Sequence, residues 1–329
     1  MIPWLRSSIA AAIPPKPAPT TTTRVSLAVF ISLPAVTGRT VSVPRCFWQA
    51  ANVSVTPARH PHRVLAGVVR RYQPYDEVSP SAPLRRREAP HGACTLILSW
   101  ADPLEMTGPG GHARSAAFLA GMHDGAVVTA FAGHQQGIQV DLTPLGVLRL
   151  LDRPTATLTN RIAPLDALDE PDLAALPERL AHTPDWAARH ALVDATLAGL
   201  LDRSRTAPDP EVAHAWTRLT RARGRVAVST LAEETGWSRR HLLTRFRDQV
   251  GLAPTTAGRV LRFREAARLL VADADDPATV ADVAAACGFA DHSHLVREFR
   301  DLAGVTPTGY VREWWAGFPN VQDAVPAPS

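Results

Sequence analysis

Apolar residues along this 329-residue chain change their spacing as the chain proceeds. From Arg63 to Leu142 they come in short runs, among them "RVLAGVVRRYQPY", "CTLILSW", "GAVVTAFAG" and "GIQVDL". Turn-forming stretches such as "TGPGGH" and "GHQQG" separate them. That texture predicts strands joined by tight turns. After Pro144 the period becomes helical in "TPLGVLRLLD", "EPDLAALPERLA" and "TPDWAARHALVDATLAGLLDRS". Two of these open on Thr-Pro, which suits a cap and first turn, and in the longest Trp186, Leu192, Thr196 and Leu200 form an apolar stripe. "RSRTAPDPE" interrupts the pattern, and Val212 to Trp315 then reads almost wholly as helix broken by glycine-containing turns. Ahead of all this, residues 1–62 are rich in Pro, Thr and Ala and periodic in nothing. Their one apolar run, "RVSLAVFISLPAV", resembles a signal-peptide core but is too short to span a bilayer, so the segment is expected to be a disordered leader. The expected organisation is α+β: leader 1–62, a strand-rich domain with helices at 63–204, a linker at 205–211, an all-α domain at 212–316 and a disordered tail at 317–329.

Two stretches of the helical part are near-copies, "TGWSRRHLLTRFRDQVGLAPT" and "CGFADHSHLVREFRDLAGVTPT". Each follows a helix carrying a small residue, Ala232 or Ala284, with Gly and an aromatic four and five positions later: Gly236-Trp237 and Gly288-Phe289. Leu and Phe four apart then open a second helix, Leu242 with Phe246 and Leu295 with Phe299. A small residue lets two helices cross closely, and glycine accepts the positive φ of the turn between them; this is what a helix-turn-helix requires. One such unit is a weak signal, whereas two with matched "FRDxxGxxPT" tails form a specific one.

With Leu242 and Phe246 inward, 100° per residue places Arg240, Thr244 and Arg247 on the opposite face. The same construction on the second copy exposes Ser293, Arg297 and Arg300, with His292, Leu243 and Val296 at the edges of the two faces. Core positions agree between the copies while exposed ones differ, as expected of one scaffold used twice to read two stretches of DNA. "TTAGRVLRFREAARLLVADA" between them predicts a helical rod that would hold the two recognition helices roughly one DNA turn, about 34 Å, apart. Together with Arg239, the expected DNA contacts are Arg239, Arg240, Leu243, Thr244, Arg247, His292, Ser293, Val296, Arg297 and Arg300, with Arg259 and Arg262 of the rod facing phosphates.

Residues 212–313 resemble the DNA-binding domain of the AraC family of bacterial transcription regulators through "VSTLAEETGWSRRHLLTRF", "APTTAGRVLRFREAARLL" and "VADVAAACGFADHSHLVREFRDLAGVTPTGYVRE". The resemblance implies base contacts from Arg240, Leu243 and Thr244, and from Ser293, Val296 and Arg297 with His292 just before them. Ala257 and Gly258 depart from the family's aromatic and Leu, and Gly258 should cost the rod about 1 kcal/mol against Ala. "GIQVDLTPLGVLRLLD", "TLTNRIAPLDAL" and "DWAARHALVDATL" look like the partner domain of some of these regulators, cupin-like strands followed by helices. What that implies is a sensing or dimerisation domain. The expected partners are double-stranded DNA, RNA polymerase, a small-molecule effector and a second copy, in the cytoplasm, with no membrane and no cofactor.

Composition sharpens this in places. Lys16 is the single lysine, so the pI of ≈ 9.4 comes from arginine, whose planar fork suits phosphate and guanine; a coding bias would give the same composition. From Arg221 to Arg268, eleven arginines stand against four acids, net +7; from Leu269 to Trp315, three stand against eight, net −5. The first copy should therefore dominate affinity, unless the acids of the second lie away from DNA. Three scattered cysteines make no disulfide framework or zinc site, and exclude the four-Cys zinc and "PCHR" nucleophile of alkylation-repair enzymes built on such domains. His112, His123 and His134 lack metal-ligand spacing, Trp237, Phe289 and Cys287 read as core, and Arg85–Arg87 as a solvated loop. The chain is expected not to be an enzyme. The alternative is the same DNA-binding module joined to a small-molecule or metal-dependent cupin-type enzyme domain.

Overall fold

The computed structural model of the chain describes residues 61–272 and 278–315. The expected tail and all but Pro61 and His62 of the expected leader, its apolar run included, lie outside the described residues. Strands β1 (Val69–Glu88), β2 (Cys94–Ser99), β3 (Leu104–Gly108), β4 (Gly111–Ser115), β5 (Phe118–Ala120), β6 (Val127–Leu142) and β7 (Ile162–Pro164) make one antiparallel sheet. β1 runs along nearly all of β6, whose other edge takes β3 at Val128–Ala130 and β2 at Gly137–Leu142. Continued through β5 and β7, the sheet curls into a nearly closed barrel.

The apolar runs are strands as expected, and Pro109-Gly110 of "TGPGGH" forms the hairpin turn between β3 and β4. "GHQQG" is not a turn. β6 passes through it, and where Gly133 takes φ +96° the pairing with β1 is interrupted by a bulge, β1 spanning Ser79 to Leu84 while β6 spans only Gly133 to Phe131. The bulge is pinned by the His134 amide, which donates to Asp102 Oδ2 at 2.8 Å. A bulge of this kind looks like a turn in sequence because both use the same glycine. Arg85–Arg87 are likewise in β1 rather than a loop.

Helices α1 (Pro144–Leu150), α2 (Pro171–Ala174), α3 (Leu176–Ala181) and α4 (Trp186–Arg203) cover one side of the barrel. Thr143 caps α1 through Gly146 N, whereas the cap of α4 is Asp185, not the Thr-Pro pair, accepting from Ala188 N at 2.8 Å. α4 buries His190, Val193, Thr196, Leu197 and Leu200 against Tyr72 and its neighbours; Trp186 and Leu192 are only half-buried. Ile138, Val140 and Leu142 of β6 join this core, which continues without a break into the helical half as far as Tyr310.

That half consists of α5 (Pro210–Arg221), α6 (Val228–Thr235), α7 (Arg239–Val250), α8 (Pro254–Leu270), α9 (Val280–Cys287), α10 (His292–Ala303) and α11 (Pro307–Trp315). α5 begins inside the stretch expected to be linker. The segment before it is held by Asp152, whose carboxylate accepts from the amides of Arg205 and Thr206 and the hydroxyl of Ser204, lowering its pKa to about 2. α1 and the 3-10 turn Thr155–Leu158 pack against α7, and the β1–β2 turn sits against α8.

Candidate nucleic-acid interface

α6–α7 and α9–α10 are the two helix-turn-helix units. Gly236 (φ +69°) and Gly288 (φ +73°) end the first helix of each in the left-handed region, where a side chain is strained. Ala232 and Ala284 are buried at the crossings. Ser238 caps α7 through the His241 amide at 3.3 Å, and Asp291 caps α10 through the His294 amide at 2.6 Å. Leu242, Phe246, Leu295 and Phe299 are all 0% exposed, so the inward faces inferred from spacing are the inward faces of the structure. Both units rest on α8, where Phe263 meets Phe299 at 4.7 Å and Tyr310 at 6.2 Å between ring centroids.

The opposite faces are where the expected contacts lie. Arg239, Arg240, Thr244 and Arg247 of α7 are exposed, as are His292, Ser293, Arg297 and Arg300 of α10; Leu243 and Val296 are half-buried at the margins. Five of the six arginines on these two helices, Arg239, Arg240, Arg247, Arg297 and Arg300, form no ion pair with the described residues. The sixth, Arg245, holds Asp209 in a fork at 2.7 and 3.0 Å. Elsewhere in the helical half Arg218 pairs with Glu234, Arg223 and Arg268 with Glu265, and Arg259 with Glu298 and Asp301, while the exposed Arg221 and Arg312 form no ion pair with the described residues. This corrects the expectation for the rod. Arg259 grips the buried Glu298 at 3.0 Å, and Arg262 donates to the Gly224 carbonyl at 2.9 Å beneath the Phe289 ring. Arg259 thus ties α10 to α8, and Arg262 ties the turn between α5 and α6 to it.

Acids of the second unit are absorbed in the same way. Glu298 and Asp301 pair with Arg259, Glu313 with Arg87 of β1 and Asp282 with the Thr279 hydroxyl. Asp291 remains at the exposed start of α10. Phe289 and Cys287 are core, burial pushing the Cys287 thiol up to about 11, while Trp237 is half-buried with His241 against its edge at 4.4 Å.

A second feature escaped the sequence reading. The inner face of the barrel lines a cavity of ≈ 130 Å³ that is partly open to solvent. Alternate residues of β1 and β6 supply a polar wall, including Tyr75, Glu77, Gln135 and Gln139, and Arg86 pairs across it with Glu77 at 2.7 Å. Met106, Phe118, Val127 and Phe131 supply an apolar one. His91, from the β1–β2 turn, lines it too; burial takes its pKa down to about 3, so it is a neutral imidazole. The signal was the period-two polarity of Arg71, Gln73, Tyr75 and Glu77, masked by reading only apolar runs. The three histidines singled out earlier are dispersed: His112 meets Thr107, His123 the Gly121 carbonyl and His134 Asp76. Among the described residues no group of three His, Cys, Asp or Glu could hold a metal ion, and no helix is long and apolar enough to cross a membrane.

Residues 231–313 match the model of a helix-turn-helix domain family. The chain is 37% identical over 78 residues, 24% of its length, to the HTH-type transcriptional activator RhaR of Pectobacterium atrosepticum, and those residues are 26% of that protein. It thus spans about a quarter of the length of this curated relative. Among solved structures, the DNA-binding domain of AdpA in complex with a target DNA is 30% identical with TM-score 0.30, covering 33% of this chain and 96% of that one. ToxT of Vibrio cholerae is 11% identical with TM-score 0.44, covering 73% of this chain and 97% of that one.

Proposed function

We propose that the chain, whose residues 231–313 match a helix-turn-helix domain family, is a sequence-specific DNA-binding regulator of transcription of the AraC type whose barrel half senses an effector. The observation that carries this is the division of the arginines. A protein that merely used arginine for stability would pair those on α7 and α10 as it pairs Arg218, Arg223, Arg245, Arg259 and Arg268. Instead, five guanidinium groups without ion pairs among the described residues gather on the two faces that a helix-turn-helix presents to a major groove. In this reading Arg240 and Arg297 make bidentate contact with guanine, while Arg239, Arg247 and Arg300 serve phosphates; Ser293, Thr244 and His292 add hydrogen bonds, and Leu243 and Val296 meet thymine methyl groups. RNA polymerase and a second copy of the chain are the further partners. The cavity supports effector control.

Selection of bound sites from random DNA by the purified chain tests this. Two conserved half-sites about one helical turn apart are expected. Arg240→Ala should cost about 1–3 kcal/mol at the selected site and relax preference at particular base pairs of one half. Selection that yields no motif, or a motif indifferent to Arg240→Ala, would overturn the assignment.

A further inference from the structure

We propose that the barrel cavity binds a small uncharged aromatic alcohol, of the phenol class, with His91 and Arg86 as its polar anchors. The proposal rests on the reading of this half as the sensing part and names the class of molecule sensed. Size comes first. The cavity measures ≈ 130 Å³, and an engineered apolar cavity of about 150 Å³ takes up benzene. A single ring fits. Met106, Phe118, Val127 and Phe131 give that ring an apolar bed.

Charge comes next. The charged groups of the inner face compensate one another: Arg86 is paired with Glu77, and Arg71 with Asp141, which also accepts from Gln139. Glu88 adds a further carboxylate to the lining. A ligand carboxylate would therefore enter beside two glutamates with the one lining arginine already committed, and an ammonium would have to displace Arg86 from Glu77 or compete for Glu88 with the contact that it already makes.

The polar handle follows from two buried nitrogens without partners, His91 Nε2 and Arg86 Nε. The first belongs to a neutral imidazole and gives or takes a hydrogen bond according to its tautomer; the second only gives. A hydroxyl is donor and acceptor at once, and so satisfies either. The position also has a route outward. Ala89, Pro90, His91 and Ala93 line the cavity, and Gly92 between them lies against α8, where a Cβ would come within 2.9 Å of Leu261 Cδ2. A ligand that shifts His91 therefore presses on the helix that carries both DNA-reading units.

Titration calorimetry of the full chain with phenol, benzoate and benzylamine decides the matter. One phenol per chain is expected, with the two charged rings at least tenfold weaker and His91→Leu at least tenfold weaker for phenol. Benzoate binding as tightly as phenol, or no uptake of phenol, overturns the proposal, as does a folded His91→Leu chain that binds phenol unchanged. Should His91→Leu fail to fold, the ligand series on the unaltered chain decides alone. A chain that selects a DNA motif yet takes up no phenol sinks this proposal and leaves the regulator reading standing.

Discussion

Arg240 and Arg259 stand nineteen positions apart and are the same residue type, yet their surroundings give them opposite work. Arg240 is exposed on α7 with no ion pair among the described residues, so its guanidinium is available to a base edge. Arg259 is half-buried on α8 and bonded through Nε to both oxygens of Glu298, itself 6% exposed. Those bonds raise the Arg259 pKa and leave Glu298 dependent on it. Removing the arginine would strand a buried carboxylate whose one other ion-pair partner among the described residues is the more distant His294 at 3.6 Å. Arg259→Ala should therefore destabilise the fold by roughly 2 kcal/mol, discounted from a fully buried pair because Arg259 is partly solvated. The selected DNA motif should not change. Urea unfolding beside site selection separates the two behaviours, and a normally stable Arg259→Ala with uniformly weakened DNA binding would restore Arg259 to the phosphate-facing group.

At the level of elements, the linker helix shows why a local rule can mislead. A glycine at position 258 costs a helix about 1 kcal/mol against alanine in isolation. In the fold, Gly258 lies under the turn between α5 and α6, where Gly224 takes φ +77° and a Cβ on it would fall 2.1 Å from the Gly258 carbonyl oxygen. The two glycines let turn and helix touch backbone to backbone. Gly224→Ala should cost at least about 2 kcal/mol, from strain and overlap together. Gly258→Ala, whose Cβ would meet Gly224 O at 3.2 Å, should be close to neutral as propensity offsets crowding. Chemical denaturation reads both, and a Gly224→Ala chain as stable as its parent would show that the turn can relax. The same contrast explains what sequence could supply. Helical faces were legible because Leu242, Phe246, Leu295 and Phe299 repeat at one spacing in two copies. β1 and the cavity were not, because strands with a polar inner face alternate in the sense opposite to the one usually sought, and because the Gly133 bulge and a hairpin share the same residues. The pairing that takes Arg259 off the DNA-facing surface joins residues 39 apart, and no local pattern announces it.

For the whole molecule, the question is how the two reading heads share the phosphate charge. By composition they are unequal, +7 against −5, but three of the eight acids of the second half are engaged in ion pairs within the protein: Glu298 and Asp301 with Arg259, Glu313 with Arg87. What reaches the DNA-facing surface is a smaller difference. α7 offers Arg239, Arg240 and Arg247 behind a neutral Ser238 cap; α10 offers Arg297 and Arg300 behind the Asp291 carboxylate, next to His292 and Ser293. Each phosphate neutralised adds about 0.9 to the slope of log K against log salt. The half-site under α7 should therefore show the steeper salt dependence, by about one to two phosphates' worth, and remain protected at salt concentrations that release the other half. The cap supplies the control. Serine and aspartate both satisfy the first-turn amide, so Asp291→Ser should leave α10 capped while removing the one exposed carboxylate at its start. Footprinting both half-sites across a salt series should then show the α10 half gaining affinity and slope and approaching its partner. Equal slopes in the unaltered protein, or an α10 half-site untouched by Asp291→Ser, would mean that α10 approaches DNA from another side than the one its exposed arginines mark.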